Sequence, residues 1–334
     1  MKPIIAITIG DFNGVGPEIV LKSATNPSVI KNCIPLLIGP QSVFEYVAKQ
    51  YKINLQFERA TLATLQRSFS RSLPVMDVGD GIGADIQYGS PTKASGRSAG
   101  IALERAIELC MQHKVSAMVT APVSKEALNS AGYNFPGQTE MIALLTISQR
   151  VAMMLLSDTM RVGLVTIHTG LKNVASQISK EKVIEKITII HESLKKDFRL
   201  KKPTLAVLAL NPHCGEHGLI GVEEDEIIIP ALGESQAAGI LVEGPFPADA
   251  FFGNQSYKKF DAVIAMYHDQ GLIPFKMNSF GKGVNFSAGL PIIRTSPDHG
   301  TAYDIGGKNK AHISSMLEAI KLALTISKNR RKHD

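Results

Sequence analysis

The sequence contains no tryptophan, and only 6% of its residues are aromatic. Its formal net charge is +6, from 36 Lys and Arg against 30 Asp and Glu, and its basic pairs are scattered along the chain without interleaved aromatic residues. Proteins that bind single-stranded nucleic acid combine basic grooves with aromatic side chains on which the bases stack. The composition therefore argues against nucleic-acid binding. An anionic small molecule remains the alternative partner for the positive charge.

Cysteine is also scarce, with Cys33, Cys110 and Cys214 as the complete set and no CxxC spacing. Three cysteines cannot build a full disulfide framework, so we expect a reducing compartment, the cytoplasm. No stretch approaches the roughly 18 uninterrupted apolar residues that would cross a bilayer, and we expect no membrane span. The apolar run at residues 4–9 is too short for a signal peptide and predicts a buried first strand.

The two common nucleotide-binding motifs are absent as well. A glycine-rich turn, GDFNGVGPE at residues 10–18, follows the first predicted strand. The GxGxxG pattern fails there because position 19 is isoleucine, and the chain has no GK[ST] for a P-loop. We interpret this segment as a tight turn lining a cleft and not as a phosphate cradle.

What is present indicates an α/β protein of two domains. The chain has 334 residues, more than a single typical domain, with 44% hydrophobic and 20% charged residues. Short apolar runs alternate with segments of helical period, a pattern typical of parallel βαβ units. The predicted strands are residues 3–9, 34–38, 74–78, 116–119, 151–157, 162–167, 204–210 and 262–266, and the predicted helices include 98–113, 180–196 and 311–328.

Three histidines share one position in this pattern. His168, His213 and His268 each follow a predicted strand by one to three residues. Because the carboxyl ends of parallel strands lie along one edge of a sheet, these side chains can converge there. Three imidazoles suit Zn²⁺ or another divalent metal and leave a coordination position for substrate. The alternative is that each histidine makes ordinary hydrogen bonds in a core or loop.

Charged and amide side chains follow in the same region. They are Asp249, Asp269, Lys276, Asn285 and Arg294. A cleft that collects lysine, asparagine and arginine suits a phosphorylated or carboxylated substrate, since arginine binds an oxyanion bidentately. The alternative reading is a set of exposed salt-bridge partners.

Ordered motifs along nearly the whole chain resemble those of the 4-hydroxythreonine-4-phosphate dehydrogenase family, PdxA. The motifs are GD at 10–11 with GVGPEI at 14–19, TAPVSK at 120–125, NPH at 211–213 with GE at 215–216, GP at 244–245 with PAD at 247–249, MYHDQG at 266–271, and DHGTA at 298–302.

The resemblance implies two α/β/α domains with a central cleft, similar to isocitrate and isopropylmalate dehydrogenases. It places a discontinuous cofactor-side domain at residues 1–122 plus 272–334, and a metal-binding and dimerisation domain at 123–271. It also implies a homodimer whose active site is shared, with His168 and His213 from one chain and His268 from its partner.

The resemblance further implies one divalent metal per site, such as zinc, magnesium or cobalt, on these three histidines, and NAD or NADP as cofactor. Asp249, Asp269 and Lys276 become candidates for catalytic proton transfer or orientation. Family substrate contacts correspond to Gln138, Thr139, Lys276, Asn285 and Arg294, and the cofactor segment to His299, Gly300, Thr301 and Asp304.

One position departs from the family. The family commonly has Gly-His-Thr-Glu where this chain has Gly-Gln-Thr-Glu at residues 137–140. Glutamine donates a hydrogen bond but does not exchange a proton near neutral pH. Related enzymes oxidise phosphorylated threonate or erythronate, and these acids are the alternative substrates.

The sequence thus predicts a metal-dependent NAD(P) dehydrogenase in pyridoxal phosphate (vitamin B6) biosynthesis. It would oxidise 4-hydroxythreonine 4-phosphate to a β-keto acid that loses CO₂. The rival from another enzyme class is a metal-free phosphate acyltransferase of the same fold, which has no need of three converging histidines. A nucleic-acid-binding protein, supported only by the basic pairs, is the nonenzymatic rival.

Overall fold

A computed structural model of the protein describes residues 2–65, 72–79, 85–135 and 137–331. The strands are β1 (Ile4–Thr8), β2 (Ile34–Ile38), β3 (Phe57–Arg59), β4 (Leu73–Met76), β5 (Ala117–Thr120), β6 (Ala152–Leu156), β7 (Arg161–Leu164), β8 (Thr204–Leu208), β9 (Leu241–Phe246), β10 (Ala262–Ala265), β11 (Val284–Ala288) and β12 (Arg294–Pro297). The helices are α1 (Gly16–Ala24), α2 (Pro27–Asn32), α3 (Gln41–Gln50), α4 (Lys93–Met111), α5 (Lys125–Ser130), α6 (Gln138–Leu145), α7 (Lys180–Lys196), α8 (Ile229–Ala237), α9 (Ala248–Gly253), α10 (His268–Ser279) and α11 (Ser314–Arg330).

The α/β class is confirmed, and each predicted strand overlaps one that is present. Helix α7 matches its predicted bounds because Ser179 caps it, accepting a hydrogen bond from the Lys182 amide. Helix α4 begins five residues before the predicted start, where Thr92 and Ser95 form a reciprocal capping box. None of the described helices has the length and apolarity needed to cross a membrane.

The chain divides into two compact units. The first comprises Met1–Gln149 and Leu290–Lys328, and the second comprises Arg150–Gly289 and Asn329–Asp334. The functional boundaries expected at residues 123 and 271 stay a prediction.

In the first unit the strands run in the order β3-β4-β2-β1-β5-β12, and every recorded pairing is parallel. Strand β5 is buried along its whole length, as expected of a parallel strand covered on both faces.

In the second unit the order is β11-β6-β7-β10-β8-β9. The parallel βαβ pattern does not extend to β6, which pairs antiparallel with both β7 and β11. Only residues 157–160 connect β6 to β7, too few for a crossover, and the Ser157 amide donates to the Met160 carbonyl at 2.9 Å. Strands β7, β10, β8 and β9 are parallel neighbours, so their carboxyl ends lie along one edge.

Candidate active site

Two of the three predicted metal ligands lie side by side in the second unit. His168 stands in the loop after β7, and His268 is the first residue of α10, which follows β10. Because β7 and β10 are adjacent parallel strands, their ends bring the two histidines together. The imidazole centroids are 6.1 Å apart and the ring planes are inclined by 42°. Two imidazoles placed in this way fit a divalent metal.

The neighbour of His268 in sequence also contacts its ring. Nδ1 of His268 lies 2.7 Å from Oδ1 of Asp269. A carboxylate on one ring nitrogen fixes the imidazole and leaves Nε2 as the metal-binding atom, an arrangement typical of metal-bound histidines. This contact favours an orienting role for Asp269 over a role in proton transfer.

The third predicted ligand stands apart from this pair. His213 lies in the 3-10 turn Pro212–Glu216 after β8, with a left-handed backbone φ of 51°. Within the ranges that the structure describes, no three His, Cys, Asp or Glu side chains converge closely enough to hold a metal ion. Among the described residues, the contact between predicted ligands is therefore the one between the His168 and His268 rings.

The residues around His213 include the candidate acid Asp249. It lies in the first turn of α9, and its charge, with that of Glu224, helps to raise the pKa of the Cys214 thiol, although burial is the main cause. The Cys214 thiol donates to the Pro245 carbonyl, with the sulfur and oxygen 3.4 Å apart. A thiol kept protonated is a poor metal ligand, so the contact supports a packing role for Cys214.

Two predicted substrate residues also belong to the second unit. Lys276 is exposed in the last turn of α10, about two turns beyond His268. Asn285 lies in β11, and its buried Oδ1 accepts no hydrogen bond from any residue that the structure describes. Because buried amide oxygens normally have a donor, this atom is suited to accept one from a bound ligand.

The predicted anion-binding arginine is buried in the first unit. Arg294 begins β12 with only 2% of its surface exposed. Its Nε and Nη2 donate to Oγ1 of Thr120, at 3.2 and 3.0 Å, and Nη2 also donates to Oε1 of Gln138 at 3.1 Å. The alternative of an exposed salt-bridge partner is wrong for Arg294, because neighbouring strands enclose it.

Burial has an electrostatic consequence for this guanidinium. Desolvation lowers the pKa of Arg294, and the Glu140 carboxylate opposes that shift. Gln138, Thr139 and Glu140 all lie in the first turn of α6, so one helix end carries two predicted substrate contacts and this opposing charge. A guanidinium held in a fixed orientation is prepared for planar recognition of an oxyanion.

The predicted cofactor segment packs against the glycine-rich turn of the first unit. The Val15 amide donates to the Thr301 carbonyl at 2.9 Å, and a Cβ on Gly14 would lie 2.3 Å from the same oxygen. Tyr303 Oη donates to Oδ2 of Asp11 at 2.8 Å. The turn therefore supports the segment through direct contacts, which explains why glycine is required at position 14.

The other members of that segment occupy its exposed side. His299 is exposed, with Nδ1 3.0 Å from the Gly300 carbonyl, and Asp304 lies in the 3-10 turn Tyr303–Ile305. Asp11 is buried and accepts hydrogen bonds from the Asn13 amide and the Ser95 hydroxyl as well as from Tyr303. Burial is the main cause of its raised pKa.

Four residues near the predicted sites were not identified from the sequence: Asp11, Thr120, Glu224 and Tyr303. Asp11 and Thr120 lie within the motifs GD at 10–11 and TAPVSK at 120–125, which mark their positions. The sequence does not show which residues they contact. Glu224 and Tyr303 act through partners distant in sequence, which no local pattern reveals.

Comparison with known proteins assigns this arrangement to a family. The sequence profile of the family described as "Pyridoxal phosphate biosynthetic protein PdxA" matches residues 31–323. A 4-hydroxythreonine-4-phosphate dehydrogenase from Geobacter metallireducens is 45% identical over 327 residues, covering 98% of this chain and 96% of the relative. A protein from Oceanobacillus iheyensis, provisionally named a D-threonate 4-phosphate dehydrogenase, is 42% identical and covers 98% of both chains.

The fold agrees with that assignment. A crystal structure of 4-hydroxythreonine-4-phosphate dehydrogenase from Klebsiella pneumoniae superposes with a TM-score of 0.88 at 35% identity, covering 98% of each chain. Sequence and fold thus agree over almost the entire length, and the chain belongs to the PdxA family of pyridoxal phosphate biosynthetic proteins.

Proposed function

We propose that this protein is a divalent-metal-dependent NAD(P) dehydrogenase that oxidises 4-hydroxythreonine 4-phosphate. The carbon that bears the hydroxyl β to the carboxylate would transfer its hydride to the oxidised nicotinamide while the hydroxyl gives its proton to a base, and the resulting β-keto acid would then lose CO₂. The observation that carries the proposal is the buried Arg294, held by Thr120 and Gln138 as a preformed oxyanion site in a chain of the PdxA family. Family membership also disfavours an acyltransferase.

Different residues of the chain would bind the substrate and the cofactor. Arg294, Thr139, Lys276 and Asn285 would hold the phosphate or the carboxylate of the substrate. Asn285 would donate to an anionic oxygen through its Nδ2, and its buried Oδ1 is suited to accept a hydrogen bond from the hydroxyl or amino group of the same substrate. Asp249 and Lys276 remain candidates for moving the proton, and the glycine-rich turn would hold the cofactor segment of His299, Gly300, Thr301 and Asp304.

The metal-binding residues would be His168, His213 and His268. A divalent ion such as zinc, magnesium or cobalt supplies electrostatic stabilisation of the negative charge that develops on the substrate oxygen. The adjacent His168 and His268 rings and the Asp269 contact support this assignment. The imidazoles would bind the ion as neutral groups, with Asp269 fixing the orientation of His268.

A second copy of the chain would complete this site. Helix α10 starts at His268 and exposes Ile273 and Met277, which are 57% and 69% accessible, and Phe280, the residue directly after the helix, is 83% accessible. Apolar side chains exposed together on one helix are typical of an interaction surface. A homodimer that covers these side chains would place the partner close to His268, and the partner would supply the third ligand to the His168–His268 pair.

Replacing Arg294 by lysine should raise KM for the phosphorylated substrate by about ten- to hundredfold, a loss of about 1.4 to 2.8 kcal/mol. Lysine keeps the positive charge but loses the planar fork that donates to Thr120 and Gln138 and that would donate to an oxyanion. Steady-state kinetics of Arg294→Lys would measure this change in KM, and Arg97→Lys, a substitution at an exposed arginine, would serve as the control. An unchanged KM would remove Arg294 from the substrate site.

Gln138 supports a second candidate substrate, D-threonate 4-phosphate. Its Oε1 accepts from Arg294, so the residue that departs from the family pattern contacts the proposed oxyanion site directly. If it adapts the site to a different acid, Gln138→His should shift the ratio of kcat/KM toward 4-hydroxythreonine phosphate and away from D-threonate phosphate.

The experiment is a comparison of both phosphorylated acids on the wild type and on Gln138→His. Each is assayed with NAD and with NADP, and with zinc, magnesium or cobalt, by the absorbance of the reduced cofactor. A wild type that prefers 4-hydroxythreonine phosphate supports the main proposal. A preference for D-threonate phosphate that Gln138→His reverses establishes the second, and oxidation of neither acid contradicts both.

A further inference from the structure

The loop that carries His213 has a backbone that ordinary residues rarely adopt. Residues 213–217 all have positive φ, at 51°, 54°, 75°, 46° and 55° in order, and glycine occupies only position 215. Left-handed backbone is unfavourable for residues that have a Cβ, and such residues usually occur singly. A run of such residues persists only where the surrounding structure holds it, and such strain concentrates at functional sites.

Glu224 is the residue that holds the start of this loop. Its side chain is 1% exposed. Oε1 accepts the amides of Leu210 and Asn211 at 2.7 and 2.8 Å, and Oε2 accepts Nδ2 of Asn211 at 2.9 Å. One buried carboxylate therefore takes three hydrogen bonds from the two residues that lead into Pro212 and His213. Charge-assisted bonds to amides are among the stronger hydrogen bonds in proteins.

The element that carries Glu224 is itself irregular. Glu224 begins the π-helical turn Glu224–Ile228, which leads into α8. π-helical turns are rare and occur frequently at functional sites, where they reposition a side chain. A Cβ built on Gly215 would lie 2.8 Å from Oε2 of Glu224 and 2.5 Å from the Gly221 carbonyl. The loop and the π-helical turn are thus packed so closely that a larger residue at position 215 would displace the carboxylate.

We infer that Glu224 is a positioning residue for His213: it fixes the backbone of the Asn-Pro-His loop so that the imidazole is held where a metal ligand is needed. The inference rests on the proposed function in that it takes His213 as a ligand. It assigns to Glu224 no contact with metal or substrate. The carboxylate acts only through the amides of residues 210 and 211.

Binding of Co²⁺ to the purified protein, measured by equilibrium dialysis without substrate or cofactor, tests this role independently of activity. Glu224→Gln should weaken Co²⁺ affinity by about ten- to hundredfold, as is typical when a residue that orients a ligand is replaced. Glu224→Asp, which keeps the charge but is one methylene shorter, should give a smaller loss and covers the case in which Glu224→Gln does not fold. Circular dichroism confirms folding.

Glu223→Gln is the matched control. Glu223 is adjacent in sequence, and among the described residues its carboxylate accepts only from the Asn211 side chain, at 2.7 Å, so its replacement leaves the backbone hydrogen bonds of Glu224 intact. The Co²⁺ affinity of Glu223→Gln should lie within about threefold of the wild-type value. This change is smaller than the loss of affinity of about ten- to hundredfold expected when an orienting residue is replaced. A merely structural role of Glu224 would lower the melting temperature and leave Co²⁺ affinity unchanged in the folded protein, and this result would overturn the inference.

A His213→Ala variant separates this inference from the proposed function. If His213→Ala loses Co²⁺ while both Glu224 variants bind as the wild type does, the inference is wrong and the metal site stands. If the wild type binds no Co²⁺, or if His213→Ala binds it with full affinity, the proposed ligand set is wrong and the inference fails with it.

Discussion

Alanine in place of His168, His213 or His268 is expected to remove bound metal and to lower kcat by about a thousandfold or more, the equivalent of at least about 4 kcal/mol of transition-state stabilisation. Each substitution would remove one of the three proposed ligands, and two remaining ligands hold a divalent ion weakly. The loss should appear in metal content and in kcat together, because one lesion causes both.

These variants should stay folded, since His168, His213 and His268 all follow strands and none of them belongs to the buried core. His312→Ala provides the control, because His312 is exposed and follows no strand end. Metal analysis, steady-state kinetics and circular dichroism of all four variants complete the measurement. Full metal occupancy in any one of the three histidine variants would remove that residue from the site.

Mixing inactive variants is expected to restore activity if two chains share the site. The family resemblance pairs His168 with His213 in one chain, whereas the 6.1 Å between the His168 and His268 rings favours those two as the pair. When chains carrying lesions in ligands from opposite subunits pair randomly, half the dimers are mixed and half their sites are intact. About a quarter of wild-type activity should then return.

Two mixtures distinguish the arrangements. His168→Ala with His268→Ala recovers activity if His268 comes from the partner, and His168→Ala with His213→Ala recovers if His213 does. We expect recovery in at least one mixture, with mass spectrometry confirming that heterodimers are present. No recovery in either would mean that one chain supplies all three ligands, and it would contradict the shared site.

The parts of this fold that could be predicted are those in which local pattern and tertiary environment agree. Strands β2 and β8 are continuous apolar runs buried in a parallel sheet, and α7 has a serine cap at its start. Strand β12 was missed because its sequence is Arg-Thr-Ser-Pro, which has no apolar signature although all four residues are buried. Strand β9 was missed because it lies at the edge and contains Gly244-Pro245.

The positions of site residues could be predicted where those residues directly follow neighbouring parallel strands. His168 and His268 meet because β7 and β10 are neighbours, which the parallel-strand argument anticipates. The burial of Arg294 could not be anticipated, because it depends on Thr120 at the end of another strand, 174 residues away in sequence. The left-handed loop at His213 depends on long-range hydrogen bonds in the same way.

The reaction itself gives the most direct test of the proposed activity. The purified protein, first stripped of metal with a chelator and then supplied with one divalent metal, is incubated with 4-hydroxythreonine 4-phosphate and NAD or NADP. Reduced cofactor and released CO₂ are measured together. We expect equal amounts of both, no reaction in the stripped protein, and recovery on addition of metal. Cofactor reduction that persists at full rate without metal, or no reduction with any metal, would contradict the assignment.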